Sequence, residues 1–242
     1  MWLRCALVLA LMGGACRTDV PGNRREALVE PPVAPRLVYD RKVWAAPPGG
    51  DGAPVYTLAW EHPDGRRTPA GVGPVVHATL WRGAIVYVDP RSRLWLEGQD
   101  QPLALGVVDA PAVSPDDAKL AYVVVAESSE GTRAEVHVRS AHADRVVDRS
   151  LLSFGALRFS PDGSVLLGVG SVDSGVAGLH AIDLRAGARR CLSNCDLRVG
   201  QPWGDAFLPP PGSAAELRFE GDEVLFDTVA GRARLRWRGE AR

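Results

Sequence analysis

Cys191 and Cys195 stand late in the chain with three residues between them. A pair at that spacing can close as a small disulfide loop, serve redox chemistry or give half of a metal site. Redox pairs usually carry two intervening residues, and no thioredoxin-like pattern surrounds this one. Zinc needs two more ligands, and none stands at suitable spacing. The pair is read as a disulfide staple. The five histidines, His62, His77, His137, His142 and His180, share no ligand spacing either. There is no Gly-x-Ser-x-Gly elbow, no His-Glu-x-x-His, no phosphate-cradling glycine loop and no calcium loop. The expectation is therefore no catalytic residue, no metal and no cofactor.

A different chemistry stands at Gln201-Pro202-Trp203-Gly204-Asp205-Ala206-Phe207, followed by Pro209-Pro210-Pro211. The segment is too proline-rich for regular structure, yet it carries two large aromatics. Trp and Phe favour interface anchors, so Trp203, Asp205 and Phe207 are candidate partner-binding residues. The competing reading is that the two rings plug or cap their own domain. Of the other tryptophans, Trp44, Trp60, Trp81, Trp95 and Trp237 fall in or beside strand-like runs and read as packing residues.

With 242 residues and a formal net charge of -1, the chain lacks the basic excess that would draw it to nucleic acid or an anionic membrane. Lys42 and Lys119 are its only lysines. Hydrophobic residues make up 46% and charged residues 24%, which fits a folded domain and not a disordered chain or a coiled coil.

The N-terminus reads as an export signal over residues 1–15. Arg4 supplies the positive start, Cys5 to Met12 an apolar run, and Gly13-Gly14-Ala15 a stretch of small residues. That run is far shorter than a bilayer-spanning helix, and no later stretch approaches one. Cys16 directly after the small residues resembles the lipobox of bacterial lipoproteins. The resemblance implies acylation of Cys16 as the mature N-terminus and anchorage by lipid alone, with Arg17 pointing to the outer membrane. Gly13 and Ala15 equally suit ordinary signal cleavage after Ala15. Residues 16–35 carry Pro21, Pro31, Pro32 and Pro35 among charges, with no apolar period, and read as a tether.

Repetition organises the remainder, residues 36–242. Leu157-Arg158-Phe159-Ser160-Pro161-Asp162-Gly163-Ser164-Val165 reads strand, tight turn, strand. Val113-Ser114-Pro115-Asp116-Asp117-Ala118-Lys119-Leu120 is the same phrase with Asp in place of Gly. Leu217 to Leu225 and Leu80 to Tyr87 are degenerate copies. Pro presets φ, Asp bonds its downstream backbone, and Gly accepts a positive φ, so Ser114, Pro115, Asp116, Ser160, Pro161, Asp162 and Gly163 read as structural turn residues. Third strands follow at Leu94 to Leu96, Glu135 to Val138, Leu179 to Ile182 and Arg234 to Trp237, with a fourth near Arg190 to Leu192. His137 and His180 fall at equivalent third-strand positions.

Four short strands per unit is the layout of a β-propeller blade. The Ser-Pro-Asp-Gly phrase resembles the repeats of TolB-like propellers. The resemblance covers about Arg36 to Trp237 and does not extend to the α/β domain that precedes the propeller in TolB. It implies an all-β fold of about five four-stranded blades, near 36–70, 71–106, 107–150, 151–197 and 198–240, with the terminal strands closing the ring. The expected function is a non-enzymatic propeller of the cell envelope. It would be a monomer that binds an envelope protein through its irregular loops. The alternative is a propeller that binds or hydrolyses glycans in its central channel. Against hydrolysis, the candidate inner strands are mostly apolar, Ser or Thr, with Glu216 and Glu220 flanking one.

Overall fold

In the computed structural model the residues described are 33–43, 54–129, 131–171, 177–193, 217–228 and 231–237. The chain divides into two units, Met1–Val33 and Ala34–Arg242, and the second holds every described strand. Cys16, Cys195, Trp203, Asp205 and Phe207 lie outside the described residues.

All regular structure among the described residues is antiparallel β-sheet, arranged as five sheets in chain order. The first contains β1 (Arg36–Val43), β2 (Val55–Glu61) and β3 (Arg67–Pro69). The second contains β4 (His77–Trp81), β5 (Ala84–Val88), β6 (Arg93–Leu96) and β7 (Ala104–Leu105). The third contains β8 (Ala112–Val113), β9 (Leu120–Ser128), β10 (Gly131–Arg139) and β11 (Asp144–Leu151). The fourth contains β12 (Ser153–Phe159), β13 (Val165–Ser171), β14 (Ala177–Asp183) and β15 (Ala188–Ser193). The fifth contains β16 (Arg218–Glu220), β17 (Glu223–Thr228) and β18 (Gly231–Arg236). Each sheet is a simple meander in which every strand pairs with its sequence neighbours.

The stacking of these meanders follows from the side-chain period of two. Leu166 packs with Val123, Val136, Phe154 and Phe159 in the seam between the third and fourth sheets, whereas its neighbour Leu167 packs with Leu217, Val224 and Trp237 of the fifth. Val86, Val88 and Leu94 meet Leu120 and Tyr122 between the second and third sheets. Leu58, Ala70 and Val75 meet Ile85 between the first and second. Each cluster thus joins consecutive sheets, and strands β5, β9 and β13 are apolar on both sides because both sides are seams. Strand β8 touches β4 on one side and β12 on the other, so the first strands of the second, third and fourth sheets lie side by side while the later strands of those sheets run outward. Face-to-face meanders with adjoining first strands define a β-propeller. Strand β1 is paired with β2 and β18 with β17, and the described ladders include no pairing between the two terminal sheets.

The hairpins at the ends of the first strands share one face. Ser114 Oγ donates to Asp116 Oδ1 (2.5 Å) and accepts from Lys119 N (2.9 Å), while Asp116 Oδ1 also takes the Ala118 N–H (3.2 Å). Ser160 and Asp162 repeat that arrangement: Ser160 Oγ donates to Asp162 Oδ1 (2.6 Å) and accepts from Val165 N (2.9 Å). At the position of Gly163 (φ 66°) the third sheet has Asp117, with φ 56°. The Asp117 carboxylate accepts the backbone N–H of Arg82 (2.7 Å), in the β4–β5 turn of the preceding sheet. Lys119 Nζ donates to the Gly163 carbonyl (3.0 Å) in the following one. The turns of three successive sheets are thereby linked along one face.

Candidate interaction face

The ends of the first strands away from those turns define the opposite face. His77 begins β4, Val108 precedes β8, and Phe154 and Gly155 lie at the start of β12. Strand β9 leaves the Ser114–Lys119 turn and ends on this side, carrying Val125 with it. Ser193, which ends β15, and Arg218, which begins β16, also lie here. The connection that bears Trp203, Asp205 and Phe207 therefore joins residues of this face.

A strap runs across it. Leu105 ends β7, and Gly106 to Val108 then pass from the second sheet to the third. Val107 N donates to Ser92 O (2.9 Å), Val125 N to Gly106 O (2.9 Å), and Val108 N to Val123 O (3.2 Å). Gly106 has φ +72°, and an added Cβ would stand 3.3 Å from Val125 O, so the close crossing needs glycine. Val107 turns into the seam and is buried. Its neighbours turn out: Leu105 is 62% exposed, Val108 50% and Val125 37%. Three apolar side chains held in solvent by a strap bonded on both sides form the exposed apolar patch of this face.

Asp109 fixes the strap to the fourth sheet. Its Oδ1 accepts from Ala110 N (2.7 Å), and its Oδ2 accepts from Ala156 N across the seam. Ala156 sits at φ 52°, within the irregularity that separates the Gly155 and Arg158 pairings of β12. An L side chain rarely adopts that conformation, and the Asp109 bond to the Ala156 N–H stabilises it here. His77 stands nearby. Burial pushes its pKa below the usual imidazole value, and the negative charge of Asp109 partly opposes that shift.

Several other titratable groups are bound into the sheets. Arg189 Nη1 lies 2.9 Å from His180 Nδ1, and since guanidinium can only donate, Nδ1 is the acceptor. The ring proton is thus on Nε2, which donates to Gly170 O (3.2 Å). Burial and then the Arg189 charge lower the His180 pKa. His137 stacks on Tyr122 (4.9 Å between centroids) beside Asp144, which accepts from the Tyr122 hydroxyl. Desolvation, reinforced by that carboxylate, pushes the Tyr122 phenol far upward. Asp89 accepts from Arg91 N, Arg93 N, Arg93 Nε and Trp95 Nε1; burial raises its pKa, and these four donors more than reverse the effect. The carboxylates on or beside the described first strands are engaged too. Asp109 holds two backbone N–H groups, and Glu220 lies 3.6 Å from Arg234. No group of three or more His, Cys, Asp or Glu suited to a metal ion occurs among the described residues. Cys191, in β15, is disulfide-bonded. No helix among the described residues is long and apolar enough to cross a membrane.

The patch was not legible in the sequence. Leu105 and Val108 flank the boundary between the units read near 71–106 and 107–150. Gly106 between them was the available signal, since a lone glycine in a strand-like run marks a close backbone approach. His62-Pro63-Asp64-Gly65 is a further Pro-Asp-Gly turn, between β2 and β3, in which Asp64 Oδ1 accepts from Arg66 N (2.9 Å).

The fold defines the chain as an all-β propeller. Among solved structures it is similar to TolB from Acinetobacter baumannii, at 16% identity and a TM-score of 0.47, over 75% of this chain and 48% of that one. It is also similar to the β-propeller domain of the Trilobed protease from Pyrococcus furiosus (12%, TM-score 0.39, 81% and 49%). A third similar structure is a puromycin-hydrolyzing peptidase of Mycobacterium tuberculosis (14%, TM-score 0.45, 86% and 38%). The chain spans about half the length of the first two and less of the third. At these identities the likeness carries nothing about activity. The sequence matches no protein-family model and no curated protein.

Proposed function

We propose that this chain is a non-catalytic propeller of the bacterial cell envelope that binds another envelope protein through the face carrying the strap. The observation that supports it is the exposed Leu105–Val108–Val125 patch, on the face whose connection between β15 and β16 bears Trp203, Asp205 and Phe207. Rigid display is the mechanism. Seams on both sides of the sheets fix the scaffold, the backbone bonds of Gly106 and Val108 fix the strap, and a partner meets apolar side chains that need no rearrangement. Export and a lipid anchor at Cys16 belong to the same proposal, resting on the lipobox-like N-terminus. The engagement of Asp109 and Glu220 by other groups favours binding over glycan hydrolysis, which needs facing carboxylates free to act.

The test is crosslinking and pull-down from envelope membranes with wild type, Trp203→Ala/Phe207→Ala and Val108→Asp. One envelope protein recovered by wild type and reduced in both variants is the expected result. Equal recovery by all three would move the site off this face, and no enriched protein from wild type would overturn the interaction reading.

A further inference from the structure

A concavity at the end of the first sheet plays no part in that face. It has a volume of about 350 Å³ and is lined by Pro35, Trp60, His62 and Thr68. Trp60 pairs directly with Thr68 across β2 and β3, and His62 follows Trp60 by two residues, so the three project from one side of the sheet. His62 Nε2 lies 3.1 Å from Thr68 Oγ1. The indole packs against the cluster of Leu58, Ala70, Val75 and Ile85, which fixes its plane and leaves it partly exposed.

The reverse side of the same strands is charged. Glu61 accepts from Arg36 and from Arg67 Nη2 (2.9 Å), and Arg67 Nη1 reaches Asp40 (3.2 Å). These bonds cross all three strands and hold their register. They also leave the side with Trp60, His62 and Thr68 without a lining Arg, Lys, Asp or Glu among the described residues.

We infer that this concavity binds a neutral sugar, one pyranose ring lying with its C–H face on the Trp60 indole and its hydroxyls meeting the His62–Thr68 pair. An imidazole and a hydroxyl both donate and accept, as a sugar hydroxyl requires. The described lining holds no carboxylate, ammonium or guanidinium to pair with an ionic ligand, which makes desolvation of such a ligand costly. A polyproline segment is recognised by grooves lined with several aromatics, whereas Trp60 is the one Trp, Tyr or Phe lining this site among the described residues.

The test uses the full chain, with saturation-transfer NMR and calorimetry against cellobiose, N,N′-diacetylchitobiose and triproline. At least one disaccharide should receive saturation on its ring protons, with a Kd on the order of 1 mM. Trp60→Leu, which keeps apolar bulk under the site, and Thr68→Val, which keeps shape, should each weaken it about tenfold or more. Saturation of neither sugar by wild type would overturn the assignment. So would sugar binding unchanged in both variants, or binding of triproline alone. None of these results bears on the partner-binding face.

Discussion

At the scale of single residues, the described polar side chains act mainly as fasteners. Asp117 occupies a left-handed position that Gly163 fills in the next sheet, and its carboxylate reaches the Arg82 N–H in the turn before it. The strain of a non-glycine residue there coincides with a bond that glycine cannot make. His180 has a consequence for pH. Its imidazole is 1% exposed and holds its proton on Nε2, so the cationic form is disfavoured in the fold. An unfolded chain would protonate it at about pH 6.5, the folded chain only at lower pH. The stabilisation from neutral His180 is thus present above that pH and is lost as pH falls through it, because the unfolded state then binds more protons. His77 shifts in the same direction. The melting temperature should fall between pH 7 and pH 5, and His180→Asn should flatten part of that fall. An identical pH slope in the variant would count against this account.

At the scale of elements, the third and fourth sheets solve one packing problem in two ways. Tyr122 pairs with His137 in the third, and Gly168 pairs with His180 in the fourth. Where Tyr122 covers one histidine, Gly168 leaves a gap that Phe154 enters from β12: a Cβ on residue 168 would stand 2.4 Å from Phe154 Cζ and 2.9 Å from Gly155 O. Because backbone as well as a ring blocks the space, Gly168→Ala should destabilise the fold by about 1–3 kcal/mol in urea titration. A stability within about 0.5 kcal/mol of wild type would show that β12 yields. The repeat makes His137 and His180 equivalent in the sequence, and the ladders pair them equivalently. Their chemistry differs, with Glu135 and Asp144 around one and Arg189 and Gly170 O around the other. That difference was illegible because it arises from cross-strand and cross-sheet neighbours. The turn phrase at Ser160 was legible because every bond in it spans five residues or fewer.

At the scale of the whole molecule, the stabilising apolar contacts are between sheets. Adjacent residues of one strand therefore report on different seams. Leu166→Ala opens the seam toward the third sheet and Leu167→Ala the seam toward the fifth. Each should cost about 2–5 kcal/mol. If the sheets unfold as one unit, both variants will keep a single transition with an unchanged m-value. A biphasic curve in the Leu167→Ala protein alone would show instead that the fifth sheet detaches separately.

The sequence by itself determined what depends on short stretches of chain. An alternating apolar pattern, tight turns with Pro, Asp and Gly, and strand-length spacing suffice to specify successive antiparallel meanders, and the five described sheets follow the five units read from the repeat. Only the tertiary structure decided which apolar residues stay outside. Leu105, Val108 and Val125 are as hydrophobic as their buried neighbours, and their exposure follows from the strap that crosses between two sheets. It likewise decided that Asp109 clamps a strained Ala156 and that Trp60, His62 and Thr68 share one side of a sheet. Turn geometry is encoded by neighbours along the chain, whereas burial and partnership are set by whichever sheet the stacking brings alongside.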